Sequence, residues 1–211
     1  PDADEMKKYA LAICPDDLIK NERVMKAVMQ YVSGGGKVLI ESSSRQLCTQ
    51  YADLFGFEKV YGESGDLSCC YMRTEGDPRI LNADLDTDLI PLSGTICYGA
   101  PCADSTKHFT LVPPFSPLSS VGAPPERASL PVSHTDIPLC LQRFYGQGEV
   151  VFLPFSFSRL ITEFHMQDHY VLARNLLHLL RADSFRFESQ MPPGVIVNLY
   201  QNRNYFLIHL V

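Results

Sequence analysis

Two apolar segments, separated by an amphipathic helix pattern and three glycines, constrain the fold of this 211-residue chain most strongly. The first, Tyr9–Ile13, is a continuous apolar run that stops just before Pro15, as a buried strand does. In Asn21–Ser33, valines recur every four residues, which is typical of the buried face of a helix. Gly34–Gly36 then ends the helix, and Lys37–Ile40 supplies a second buried strand. Strand, helix and strand in this order predict a parallel sheet covered by helices.

The same alternation continues beyond the second strand and returns late in the chain. A helix is predicted from about Arg45 to Phe55, with Ser44 as its N-cap and Gly56 just beyond its end. The run Glu149–Leu153 predicts a further buried strand, and Gln167–Leu180 predicts a second long helix that is largely buried. We therefore predict an α/β fold with a mostly parallel sheet and helices on both faces.

The middle of the chain, about residues 60–138, departs from this alternation. Short β-like runs are separated by prolines, which a long helix cannot cross. This composition predicts an irregular β insertion at the edge or end of the sheet, with a mobile loop near Ser116–Ser133. At the end of the chain, Val195–Tyr200 and Tyr205–Val211 flank a polar turn and predict a β-hairpin. We expect residues 190–211 to form this hairpin, as the start of a further β domain.

Composition and charge exclude several classes of partner. The net charge is −6 and no cluster of Lys and Arg stands out, so we expect no nucleic-acid partner. No apolar run approaches the roughly 20 residues of a membrane span, so we expect no membrane partner. The seven cysteines contain no pair of Cys-x-x-Cys units, which predicts free thiols, a cytoplasmic location and no zinc site. No cofactor motif is present, because the three consecutive glycines follow a helix and precede a strand, the reverse of a phosphate-binding loop.

Three groups of residues, taken in order, resemble a known family. They are Tyr31–Gly36 with Leu54–Gly56, then Tyr145–Phe155, and finally Leu207–Val211. The first reads Tyr-Val-x-x-Gly-Gly before a strand, and the second begins Tyr-Gly-x-Gly before Val-Val-Phe-Leu-Pro-Phe. This order is similar to the class I glutamine-amidotransferase-like domain that is the trimerisation domain of certain bacterial beta-galactosidases, and to its equivalent in related glycoside-hydrolase-like proteins.

The resemblance implies a flavodoxin-like sheet in residues 1–189 and an accessory role. In that family the sugar-cleaving carboxylates reside on a separate barrel domain. The implied function is that of a non-catalytic domain in a multidomain carbohydrate-active protein, and the parent protein would be a glycoside hydrolase. Its implied partners are other domains of the same polypeptide, further copies in a homo-oligomer, and carbohydrate in a cleft that it helps to shape.

A catalytic role would make Cys97 the first candidate, because amidotransferases carry a nucleophilic cysteine in a Gly-x-Cys-x-Gly turn between strand and helix. Here Gly94 lies one residue too far from Cys97, and Pro101 prevents a helix from starting where the turn requires one. No His-x-Glu sequence follows downstream. We therefore expect Cys97 to be a strand residue.

The alternative to an accessory domain is a small stand-alone hydrolase, because two carboxylates follow predicted strands. Asp16 follows the first strand and Glu41 the second, and open α/β sheets bind ligands beyond the carboxyl ends of their strands. Together with His165 they could form a hydrolytic site. Turn formation and helix capping are the competing roles for both carboxylates. A sugar-binding module is a further alternative, in which the ten tyrosines would replace the absent tryptophan.

His165 and His169 are the candidate metal ligands. They lie four residues apart, and on one helix their rings would share a face as two metal ligands do. However, Met166 stands where a zinc hydrolase has its glutamate, so solvent exposure or capping is the favoured interpretation and no metal is expected.

Overall fold

The computed structural model describes residues 2–74, 83–85, 87–113, 135–181, 195 and 197–211. The loop predicted at Ser116–Ser133 lies outside these residues. The described helices are α1 (Ala3–Met6), α2 (Asp16–Ile19), α3 (Glu22–Ser33), α4 (Arg45–Gln50), α5 (Ala52–Phe55), α6 (Phe157–Phe164) and α7 (Gln167–Arg181). The described strands are β1 (Ala12–Cys14), β2 (Lys37–Glu41), β3 (Phe57–Glu63), β4 (Leu67–Thr74), β5 (Leu89–Gly94), β6 (Cys97–Pro101), β7 (Thr106–Val112), β8 (Pro138–Tyr145), β9 (Gly148–Leu153), β10 (Val197–Asn202) and β11 (Tyr205–Leu210).

Seven strands form one mixed sheet in the order β1-β2-β9-β8-β7-β4-β5. Only β1 with β2 and β2 with β9 pair in parallel, while the other neighbours are antiparallel. The prediction of a mostly parallel sheet is therefore wrong. The insertion strands β4, β5 and β7 extend the main sheet beyond β8, whereas β6 pairs with β3 in a small sheet. Short connections such as the turn between β8 and β9 join neighbouring strands antiparallel.

Helices cover both faces of the sheet, as predicted. Successive residues of β9 point alternately into two apolar cores. Val150 and Phe152 pack with α3, α4 and α5, whereas Val151 and Leu153 pack with α6 and α7. Val28 on α3 is fully buried in the first core, as the helix pattern predicted.

The end of α3 lies against the turn between β8 and β9, and this contact explains the glycines of that turn, Gly146 and Gly148. The N–H of Gln147 donates to the carbonyl oxygen of Ser33 at 3.1 Å. A Cβ on Gly148 would lie only 2.2 Å from the carbonyl oxygens of Gly36 and Val32. Glycine is therefore needed at position 148, because the backbone of the β8–β9 turn touches the backbone at the end of α3.

Two smaller sheets complete the described fold. Strands β3 and β6 pair antiparallel, and their Phe57 and Cys97 enter the core beneath α3. Strands β10 and β11 form the predicted antiparallel hairpin. None of the helices in the described part is long and apolar enough to cross a membrane.

Candidate functional site

The carboxyl ends of β1, β2 and β9 meet at one edge of the sheet, and polar residues cluster there. Asp16 begins α2 directly after β1, and Glu41 is the last residue of β2. Ser156 and Ser158 lie at the start of α6, just beyond β9. The structure thus brings Asp16 and Glu41 to the same end of the sheet, together with two serines that sequence reasoning missed.

Asp16 joins three segments through hydrogen bonds. Its Oδ1 accepts from the hydroxyl of Ser42 at 2.8 Å, and its Oδ2 accepts from the hydroxyl of Ser156 at 3.3 Å. Ser42 is fully buried, while Asp16 keeps some contact with solvent. Both carboxylate oxygens therefore hold the loops after β2 and β9 together.

Glu41 caps the first turn of α6. Only 6% of this residue is exposed. Its Oε2 accepts from the backbone N–H of Ser158 at 2.8 Å, and its Oε1 accepts from the Ser158 hydroxyl. The N-cap residue Ser156 makes no side-chain capping bond, so Glu41 satisfies a helix N–H that would otherwise lack a partner. A carboxylate also complements the positive end of the helix dipole.

The turn between β2 and α4 is where a nucleophile would sit in an α/β hydrolase, on a strained strand-to-helix turn. Ser42, Ser43 and Ser44 occupy this turn. None of them has a positive φ, because the described non-glycine residues with that conformation are Asp84 and His165. The hydroxyl of Ser44 accepts from the N–H of Leu47 at 3.4 Å and caps α4. The turn therefore has no residue in a strained backbone conformation, and the hydroxyls of Ser42 and Ser44 are used in structural contacts.

Cys97 lies in the small sheet at the start of β6, and the next described element after β6 is strand β7, not a helix. Its backbone N–H donates to the carbonyl oxygen of Pro154 at 2.8 Å, and its side chain is buried. The Cys48 Sγ donates to the carbonyl oxygen of Ser42 at 3.7 Å. Its side-chain contact with Cys97 lowers the pKa of Cys97, while the same contact and burial raise the pKa of Cys48. The nucleophile turn of an amidotransferase is not formed around this cysteine.

The two histidines do not share a helical face, because α6 ends at Phe164 and α7 begins at Gln167. His165 is exposed between them with φ of 50°, and its Nδ1 lies 3.1 Å from the Tyr170 hydroxyl. His169 is fully buried, and its Nε2 donates to the carbonyl oxygen of Pro91 at 2.8 Å. Within the described ranges, no group of three or more His, Cys, Asp or Glu residues could hold a metal ion.

The structure does not place His165 beside Asp16 and Glu41, the other two residues of the hydrolase alternative. Glu41 contacts the first turn of α6, whereas His165 follows its last residue. An eight-residue helix is about 12 Å long, so the imidazole is too far away to exchange a proton with a group held by Asp16 or Glu41.

A shallow polar groove of about 670 Å³ lies beside this end of the sheet. Its lining carries hydroxyl, amide and charged groups: Ser44, Arg45, Gln46, Thr49, Gln50 and Glu63. The Glu63 Oε2 accepts from the backbone N–H of Arg45 at 3.0 Å and fixes β3 against α4. This groove offers many hydrogen-bonding groups to a hydroxyl-rich molecule.

No protein-family model matches the sequence, and no curated protein matches it either. Solved structures share its fold. An alpha-L-fucosidase isoenzyme 2 from Paenibacillus thiaminolyticus aligns with a TM-score of 0.68 at 15% identity, over 96% of this chain and 30% of the fucosidase chain. The beta-galactosidase from Bacillus circulans aligns with a TM-score of 0.56 at 12% identity, over 96% of this chain and 27% of the other.

A cytoplasmic protein from Salmonella typhimurium aligns with a TM-score of 0.56 at 13% identity, over 84% of this chain and 74% of the other. The chain thus spans less than a third of the two glycosidases but about three quarters of the smaller bacterial protein. These likenesses establish an α/β fold that occurs as one part of larger glycoside hydrolases.

Proposed function

We propose that this chain is an accessory α/β domain of a multidomain glycoside hydrolase, of the amidotransferase-like type that serves as a trimerisation domain in beta-galactosidases. The observation that carries the proposal is the use of the carboxylates at the sheet end. Asp16 binds two serine hydroxyls and Glu41 caps α6, so both act in holding the fold together. The glycosidases that share the fold support this context, because the chain matches only part of each.

The hairpin supplies a surface for packing against other domains of the same polypeptide. The pairing of β10 with β11 places Val197, Leu199, Phe206, Ile208 and Leu210 on one face. Phe206 is 64% exposed there, and Ile208 and Leu210 are each about half exposed. Because a two-stranded hairpin is only marginally stable in water, an apolar face of this kind needs a covering layer.

We therefore propose residues 190–211 as the start of a further β domain and residues 1–189 as the amidotransferase-like unit. The test replaces Phe206 and Ile208 together by Ser. In the isolated chain we expect less binding of the dye ANS and an unchanged unfolding midpoint. The control is Asn198→Ser on the opposite face, which should leave dye binding unchanged. If the double variant unfolded at a lower midpoint, the hairpin would belong to the main domain.

A stability measurement separates the accessory role from catalysis at the sheet end. Replacing a catalytic carboxylate usually leaves stability unchanged or raises it, whereas replacing a structural one lowers it. Glu41→Gln should reduce the free energy of unfolding by about 2 kcal/mol, because the charged cap of α6 is lost. Asp16→Asn should also destabilise the chain. Asp17→Asn is the matched control, since Asp17 is exposed and its ion pair within the described residues is with exposed Lys20.

An activity assay accompanies this measurement. The isolated chain should not turn over a panel of aryl glycosides, since the proposal assigns cleavage to another domain. Turnover that disappears in Asp16→Asn, together with unchanged stability of that variant, would instead establish the chain as an enzyme.

Carbohydrate binding in the polar groove is a second candidate function. The groove combines side-chain amides, hydroxyls, a guanidinium and a carboxylate, the groups that bind sugar hydroxyls in proteins. Titration with galactose and lactose, followed by NMR, should then shift the side-chain amides of Gln46 and Gln50. Gln46→Ala should weaken the binding, and the absence of any saturable shift would exclude this function.

A further inference from the structure

A separate cavity of about 260 Å³ lies at the β5 edge of the main sheet, which is the edge opposite to β1. It is lined by residues of β4 and β5 and by the last residue of α6. The pairing of β4 with β5 is irregular between Leu67 and Cys70, next to this cavity. Such bulges open the strand pairing and are common beside functional sites. The cavity belongs neither to the carboxyl end of the sheet nor to the polar groove.

The walls of the cavity are almost entirely apolar. Tyr71 and Pro91 are paired across β4 and β5, and Leu92 also lines the cavity. Phe164, the last residue of α6, forms the opposite wall although it is 48% exposed. Ser68, Cys70 and Ser93 complete the lining. Two aromatic rings and a proline ring around one space suit a flat, apolar molecule.

Unused hydrogen-bonding groups accompany these apolar walls. The Ser93 hydroxyl oxygen is buried and has no hydrogen-bond partner within the described part of the chain. Behind Pro91, the Nε2 of His169 must donate to the Pro91 carbonyl, which leaves Nδ1 also buried and unpartnered in that part. The His169 ring lies 6.5 Å from the Phe164 ring. Buried polar atoms normally have partners, so the unpartnered hydroxyl of Ser93, a residue that lines the cavity, points to a ligand group.

We infer that this cavity binds a small aromatic ring carrying one hydroxyl group, a ligand of the phenol class. The apolar walls disfavour sugars, whose many hydroxyls would lose their water, and they disfavour charged molecules more strongly. The single hydroxyl of the ligand pairs with the Oγ of Ser93, which lines the cavity and has no other partner within the described residues. A cavity of about 150 Å³ holds benzene, so this one has room for a substituted ring.

The test compares phenol with toluene, which has nearly the same shape but no hydroxyl. Each is titrated at millimolar concentrations into the whole chain, and the backbone amides of Ser93 and Phe164 are followed by NMR. Both ligands should cause saturable shifts there. We expect phenol to bind about fivefold more tightly than toluene because of the one additional hydrogen bond.

Two variants separate the contributions. Ser93→Ala should abolish the preference for phenol and leave toluene binding unchanged. Phe164→Ala should weaken both ligands, and because Phe164 is half exposed the variant should keep the unfolding midpoint. Phe144→Ala, at a 74% exposed position on β8, is the control and should change neither affinity. Equal affinities in the unmodified chain, a preference that survives Ser93→Ala, or no saturable shift at these amides would overturn the inference.

Discussion

Replacing Gly148 by Ala tests the contact between α3 and the turn that joins β8 to β9. A Cβ at this position would lie 2.2 Å from the carbonyl oxygens of Gly36 and Val32, whereas ordinary contacts begin near 3.4 Å. Both oxygens belong to the backbone, at the end of α3 and the start of β2, so neither can move without shifting an element of the core. Overpacking of a rigid site costs about 1–3 kcal/mol, and a clash with two backbone atoms belongs at the upper end. We expect Gly148→Ala to cost about 3 kcal/mol.

Gly65→Ala provides the matched control for the same chemical change. No atom lies within 4 Å of the Cβ that this variant would add, and the position is exposed. The added methyl group restricts the unfolded chain, so a small stabilisation of about 0.5 kcal/mol is expected. Urea denaturation followed by far-UV circular dichroism measures both variants. Equal midpoints for Gly148→Ala and Gly65→Ala would refute the close approach of the two segments.

Two further predictions concern burial. Val28→Asp should lower the free energy of unfolding by about 3 kcal/mol, because the charge enters an apolar core. Gln30→Asp, on the exposed face of α3, should lower it by less than about 0.5 kcal/mol. Chemical denaturation of the two variants measures this difference. Burial lowers the pKa of His108 below its ordinary value, so the folded state resists protonation and stability should fall as the pH drops below about 6.5. His108→Gln should remove part of this pH dependence, as urea denaturation series at several pH values would measure.

The local elements could be predicted where one residue pattern decided them. Valine spacing placed α3 and its buried face correctly, and Ser44 and Gly56 bounded the helical segment that the structure divides into α4 and α5. The first strand begins later than predicted, at Ala12, because the backbone of Tyr9 lies in a turn where its carbonyl accepts from the Tyr31 hydroxyl. That contact joins residues far apart in sequence, and no local pattern reveals it.

The direction of the strands in the insertion could not be predicted in the same way. Short β-like runs between prolines indicate strands but not which sheet they join or in which direction. The helix α6 was missed as well, although Phe157, Leu160, Ile161 and Phe164 have the spacing of an amphipathic helix. Without this helix, the four-residue spacing suggested that His165 and His169 would share a face of one helix, whereas His165 follows the last residue of α6 and His169 lies in α7.

The role of the carboxylates at the sheet end follows from this missed helix. The predicted order of strands was enough to place Asp16 and Glu41 at one end of the sheet. It did not decide whether these carboxylates have a structural role, such as helix capping, or a catalytic one. What distinguishes these roles is the set of partners of each carboxylate. Besides Ser42, Asp16 binds Ser156, which lies 140 residues away, and Glu41 binds Ser158, 117 residues away; both distant serines lie at the start of α6. Once α6 is placed, Glu41 supplies the hydrogen-bond acceptor that its first turn lacks, and Asp16 binds the serine before it. A carboxylate engaged in this way is not available to a substrate unless α6 gives up its cap, and this cost favours the structural role.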